Sequence, residues 1–221
     1  MGKNERKGAR QDRSQRIHKR IPELGYYLVV TDAQATEVNY LHGIRDSIPV
    51  ELRDRLVIKV VTAPTYNLLE KCQELAAVEP QYRKPWIVFD RDKVKNFDII
   101  IANAGQQNVN VGWSNPCIEI WFHAYFANMP INTIPTKCIS DFGIIFQRQT
   151  GQKYKKTDEN IYKKLCKYGN EKTAIIIAKS RHQHQDIRAK PSDMLSTTTL
   201  YILVEEIQKI VETLKENDVT L

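Results

Sequence analysis

The sequence predicts an α/β fold: a doubly wound, mainly parallel four-stranded sheet followed by a C-terminal helical extension. Three observations carry this prediction. Short β-branched runs alternate with helix-like stretches from Gly25 to about residue 127. Those runs are mainly apolar rather than strictly alternating, as strands covered on both faces are. Past Pro135 strand-like runs give way to helical periodicity.

Each element has its own signal. Tyr26–Thr31 reads as the first buried strand, and Thr36 to Arg45 as a helix with Gly43 near its end. Leu56–Val61 is the second strand, and Pro64 precedes a helical stretch from Thr65 to Val78. Pro80 and Pro85 bracket a loop into the third strand, Trp86–Phe89. Val94 to Ala104 is helical and Gly105 ends it, before a fourth strand over Val109–Trp113. Asn115 then serves as an N-cap and Pro116 as a first helical residue, opening a helix through Glu119, Trp121 and His123 to about Ala127. Helices follow over Lys137–Gln149, Asp158–Tyr168, Glu171–Ala189 and Thr199–Asn217, the last with a continuous apolar stripe from Leu200 to Leu214. Ala174–Ile177 is strand-like, but its flanks favour helix. The chain divides into a basic N-terminal arm (1–24), a core (25–130) and a helical region packed on that core (131–221).

Composition removes several function classes. A chain of 221 residues that is 42% hydrophobic is globular, not collagen-like or wholly disordered. Its longest apolar runs, such as Tyr26 to Val30, are too short to span a bilayer, and its charged start lacks the apolar core of a signal peptide. Four cysteines without a CxxC pair read as reduced thiols of a cytoplasmic protein. The net charge of +7 is uneven: residues 1–20 carry eight Lys/Arg against two acids, and residues 147–190 carry twelve against four. Such regions attract a polyanion by counterion release, although a solvated arm would carry the same charge.

In an open parallel sheet, ligands bind beyond the carboxyl ends of the strands. Asp32 and Glu37 follow the first strand, Asp90 and Asp92 the third, and Ser114 and Glu119 the fourth; the second offers only Thr62 and Thr65. Carboxylates gathered on one edge repel one another unless a cation sits among them. Mg²⁺ takes hard oxygen ligands of this kind, and a pair of such ions clamps a scissile phosphate. In Asp90-x-Asp92 both carboxylates point one way if the stretch stays extended. Each acid has a plainer reading: Asp-x-Asp arises by chance, Asp32 suits a turn, and Glu119 suits the start of a helix. Their coincidence at one face favours a metal site.

These positions also carry a family resemblance. Leu28-Val29-Val30-Thr31-Asp32-Ala33-Gln34-Ala35-Thr36-Glu37, Trp86 to Asp92, and Ser114-Asn115-Pro116-Cys117-Ile118-Glu119-Ile120-Trp121 resemble, in order, the motifs of RloB-like proteins. Thr197-Thr198-Thr199-Leu200 to Glu206 resembles their closing helix. The resemblance implies a Toprim-like nuclease domain related to those of OLD-type proteins, found in antiphage and restriction-associated loci and often paired with an ABC- or AAA-type ATPase. It implies Mg²⁺, or Mn²⁺, held by Asp32, Glu37, Asp90, Asp92 and Glu119, for hydrolysis of DNA or RNA, tRNA included. Ser114 would orient a water or a phosphate oxygen, and Lys155 or Lys156 would stabilise charge on the phosphorus; a homodimer is compatible with it.

Two departures stand out. The family's Glu-Gly is Asp32-Ala33, one methylene and about 1.5 Å shorter. The family's histidine six residues after the motif glutamate is Tyr125, with His123 four residues after instead. A non-catalytic subunit that binds nucleic acid or an ATPase is the alternative these departures leave open. His182 and His184, two apart, face different sides of a helix and make a poor metal pair. No GxGxxG or GxxxxGK[ST] is present, so the sequence carries no signature of dinucleotide binding or ATP hydrolysis.

Overall fold

A computed structural model describes residues 22–78, 83–92 and 94–218, with side chains as far as 214; the basic residues 1–20 lie outside these. The first strand, β1 (Gly25–Thr31), runs between β2 (Leu56–Thr62) and β3 (Arg83–Asp90), parallel to both. β4 (Asn110–Asn115) pairs in parallel with the far side of β3. The order is β2-β1-β3-β4-β5, where β5 is a fifth strand the sequence did not predict. It comprises only Thr197 and Thr198, antiparallel to Asn115 and Ser114. So residues 131–221 contribute a strand to the sheet as well as helices.

Helices α1 (Thr36–Ser47), α2 (Leu68–Ala77), α3 (Phe97–Gln106) and α4 (Glu119–Ala124) follow the four parallel strands. Helices α5 (Pro135–Thr150), α6 (Ile161–Tyr168), α7 (Glu171–Gln183) and α8 (Leu200–Asp218) complete the described chain. The alternation of strand side chains divides them between the two faces. Leu28, Val30, Ile87 and Phe89 face one core with Leu68 and Cys72 of α2 and Phe97 and Ala104 of α3. Tyr27, Val29, Trp86 and Val88 face the other, built mainly by α1 and α4 to α8. Among the described residues no helix is long and apolar enough to cross a membrane.

Three boundaries differ from expectation for local reasons. Asn115 is not a helix cap: it closes β4 against Thr197, and its amide donates to the carbonyls of Pro191 (3.2 Å) and Ser192 (3.0 Å), so α4 starts only at Glu119. The helix expected to run to Ala189 stops at Gln183. There the Gln185 amide donates to the Arg181 carbonyl and the Asp186 carboxylate accepts from the Arg188 backbone, turning the chain. The helix expected from Thr65 begins as a 3₁₀ turn over Thr65–Asn67 and becomes α-helical at Leu68.

Threonines fasten β5 to the sheet. Thr198 Oγ1 donates to the Trp113 carbonyl at 3.0 Å and accepts from the Leu200 N–H at 3.2 Å, capping α8. Thr199 Oγ1 donates to the Val111 carbonyl at 2.9 Å and accepts from the Trp113 N–H at 3.0 Å.

At Gly43, α1 and α6 approach closely. A Cβ there would collide with Tyr162 Cβ on α6, with no flexible side-chain end to yield. Gly43→Ala should therefore destabilise the fold by about 1–3 kcal/mol, as overpacking does, read as a lower urea midpoint. An unchanged midpoint would mean that α1 and α6 do not pack this closely.

Candidate active site

The carboxyl end of β3 is stitched to the segment that leads from β4 into α4. The backbone N–H of Arg91 donates to the Ser114 carbonyl at 2.9 Å, and that of Asp92 to the Pro116 carbonyl at 3.0 Å. Asp90 Oδ2 accepts the N–H of Ile118 at 3.0 Å. Glu119, the next residue, is thereby set against Asp90. Glu37, in the first turn of α1, reaches the same place, close enough that its carboxyl interacts with those of Asp90 and Glu119. Burial, then the carboxylates of Glu119 and Asp32, push Glu37 up to about 7. Burial, then the charges of Glu37 and Glu119, hold Asp90 well above the usual carboxylate range.

Glu119 has no solvent exposure. Its Oε1 accepts from the Tyr154 hydroxyl at 3.0 Å and lies 3.7 Å from Lys156 Nζ. Its Oε2 is buried with no hydrogen-bond partner among the described residues. A buried carboxylate oxygen left unpaired costs about 1–3 kcal/mol or more, so this atom has capacity for a further partner.

Asp32 and Asp92 form an outer pair. Asp32 Oδ2 accepts from the Thr65 hydroxyl at 2.6 Å, and Asp32 has no ion pair among the described residues. Burial, then the charge of Asp92, raises its pKa, while the Thr65 hydroxyl opposes the rise. Asp92 is exposed in the turn after β3. The expectation that Asp90 and Asp92 share one extended face is corrected here: the strand ends at Asp90, so the period of two stops there. Glu37, which senses both Glu119 and Asp32, links the inner group to the outer pair.

Ser114 is level with Asp90 but buried, its hydroxyl 3.1 Å from that of Thr198 and turned into the sheet. Lys156 joins the acids: burial would lower its pKa, but the charges of Glu119 and Glu37 raise it overall. Lys155 instead lines an open groove of about 640 Å³ with Lys153, Asp158 and Lys164. His123 is not brought to the cluster; its charged neighbours are Asp141 and Arg148. Tyr125 takes part in a buried relay. Trp121 Nε1–H donates to Tyr40 at 2.7 Å, Tyr40 lies 2.8 Å from the Tyr125 hydroxyl, and Tyr125 donates to Glu171 at 2.6 Å. His182 lies 3.2 Å from the Tyr201 hydroxyl, away from the acids.

Sequence reasoning missed Tyr154 and Thr36. Tyr154 is 35 positions from Glu119, and no spacing rule links them. Thr36 Oγ1 donates to the Lys156 carbonyl at 3.2 Å, seating the loop between α5 and α6 over the site.

Among the described residues no three His, Cys, Asp or Glu side chains converge as a ready-made metal cage. Mg²⁺ does not require one, since it binds through one or two carboxylates and keeps waters and substrate phosphates as its other ligands. The donors here are hard oxygens, and one of them, Glu119 Oε2, is buried with no hydrogen-bond partner among the described residues. In donor chemistry they fit a divalent cation.

A family model for RloB-like proteins matches residues 27–207, which include all five acids and both lysines. No curated protein and no solved structure matches the chain. A match that spans most of the chain places it in the RloB-like protein family.

Proposed function

We propose that this chain is a divalent-cation-dependent nuclease of Toprim-like organisation, serving as an effector in antiphage defence alongside an ABC- or AAA-type ATPase. The observation that carries the reading is Glu119: a fully buried acid with one oxygen unpartnered, electrostatically joined to Glu37 and Asp90 at the sheet edge where ligands bind. Four buried or half-buried carboxylates are hard to retain without a cation. Asp90, Glu37 and Glu119 would hold an inner Mg²⁺ or Mn²⁺, and Asp32 with Asp92 an outer one. When bound, such ions polarise a phosphoryl oxygen and stabilise the attacking and leaving oxygens.

The chain's own residues supply orientation and charge. Tyr154 fixes Glu119 Oε1, Thr65 fixes Asp32 Oδ2, and the Ile118 N–H fixes Asp90 Oδ2. Lys156, half exposed beside Glu119, is placed to meet a phosphate as negative charge grows on it. Lys153 and Lys155 extend the positive field along the loop, and neither has an ion pair among the described residues. Lys164 is held by Asp158 at 2.7 Å and is less free to contribute.

Two measurements test the reading. Purified protein with Mg²⁺ should cleave RNA or DNA, and chelation should stop it; no cleavage of either, with the ATPase partner supplied, would reject it. Binding should also weaken linearly on a log–log plot against salt. Lys153→Gln with Lys155→Gln should lower the slope by roughly 0.7 for each single-strand phosphate that is no longer neutralised. An unchanged slope would assign these lysines to a protein partner or to solvent, as the non-catalytic binding reading allows.

A further inference from the structure

Tyr66 is 88% exposed, although most of the chain's aromatic side chains are buried in the two cores. It is not on a slack loop. The 3₁₀ turn Thr65–Asn67 is closed by the Asn67 N–H donating to the Pro64 carbonyl at 2.8 Å, and the next residue, Leu68, is fully buried. Its other neighbour, Thr65, donates to Asp32 at 2.6 Å. The turn is thus pinned on both sides of the ring, one residue from the group that orients a site acid. Among the described residues neither the Tyr66 ring nor its hydroxyl has a partner.

Sheet order gives the ring its context. Tyr66 follows β2, Asp32 follows β1, and Arg91 follows β3, so the three stand in file along the edge. Two inter-strand spacings, about 10 Å, separate the exits of β2 and β3. The Arg91 guanidinium has no ion pair among the described residues. One short stretch of a nucleic-acid strand laid along this edge would meet a cation at one end, the acids in the middle and an aromatic face at the other.

We propose that Tyr66 is a stacking platform for an unpaired nucleobase beside the scissile phosphodiester, so that the substrate class is single-stranded or looped nucleic acid. This rests on the nuclease reading of the acid cluster and narrows it. In a duplex both faces of a base are covered by its neighbours; only an unpaired, splayed base offers a face to a protein aromatic. Stacking of this kind is tolerant of base identity, so selection would be by strandedness more than by sequence.

The test uses the intact chain with divalent ions chelated, so that binding is read without cleavage. The probes are short single strands of DNA and RNA carrying a fluorescent adenine analogue, and blunt duplexes of the same sequences. Tyr66→Ala should weaken single-strand binding by roughly 5- to 150-fold, the range for one stacked base, and should abolish quenching of the analogue. Tyr66→Phe should retain both, because the ring alone does the stacking. Duplex binding should be the same in all three proteins. Equal weakening on single strand and duplex, no weakening on either, or no nucleic-acid binding at all would overturn the inference, the second pointing to a protein partner for the ring. Cleavage of the same probes in Mg²⁺ separates the two readings. Weakened single-strand binding in Tyr66→Ala with no cleavage by any protein keeps the platform and rejects the nuclease. Cleavage by the wild type with Tyr66→Ala undiminished on single strands keeps the nuclease and rejects the platform.

Discussion

Glu119→Gln should abolish cleavage while making the protein more stable. The substitution keeps the side chain's size and its carbonyl can still accept from Tyr154, so the local packing persists. What it removes is a fully buried negative charge whose Oε2 has no partner among the described residues. Activity should fall on the order of 10³-fold, the scale on which one preorganised electrostatic interaction acts at a reacting centre. Stability in chelator should rise, because the neutral amide relieves repulsion with Glu37 and Asp90 and costs less to bury. The two effects move in opposite directions, as expected of a residue kept for chemistry at the expense of the fold. Urea unfolding and turnover on the same preparations read both. A parallel decline in stability and activity would make Glu119 structural instead.

The second large effect concerns Asp32, where the family resemblance implies a glutamate. Its shorter carboxylate is held by the Thr65 hydroxyl at 2.6 Å, from the 3₁₀ turn after β2. On the nuclease reading, this contact organises the site around the shorter side chain. Asp32→Glu should overfill it, displace the carboxylate by about 1 Å and lower turnover about a hundredfold. Adding Ala33→Gly, which frees the turn, should recover only part of that activity if Thr65 sets the geometry. Asp32→Asn should leave no turnover. Thr65→Val, which removes the orienting hydroxyl and keeps the shape, should cost roughly 10- to 100-fold, as removal of an outer orienting group does. Higher turnover in Asp32→Glu would show instead that the aspartate is a defect of an otherwise family-like site. Unchanged nucleic-acid affinity with no turnover in any variant would match a binding subunit.

How far the sequence could be read depended on the range of the interactions. β1 and β3 were legible because their central residues are buried on both faces and therefore apolar in succession, and β2, an edge strand with Lys59 exposed, because its other residues are mostly apolar and β-branched. β5 was not, because two threonines are too few for a period and their pairing with Ser114 and Asn115 spans more than eighty positions. The end of α7 was hidden for a different reason: side chains of Gln185 and Asp186 compete for the backbone and stop a stretch whose composition would continue. At the site, Asp32, Glu37, Asp90, Asp92 and Glu119 could be named from strand exits alone. Their division into an inner group and an outer pair could not, since it depends on β3 ending at Asp90 and on the Ile118 N–H turning Glu119 toward it. Ser114 was named from its place at a strand exit, and its contact with Thr198, across the threonine run, could not be read from sequence.

The central claim is that these acids are a divalent-cation centre, and crystals grown with Mn²⁺ test it most directly through the metal's anomalous scattering. The expected result is anomalous density bounded by Asp90, Glu37 and the unpartnered Oε2 of Glu119, and no such density in Glu119→Gln. No anomalous density at the cluster in crystals of the unaltered chain would contradict it.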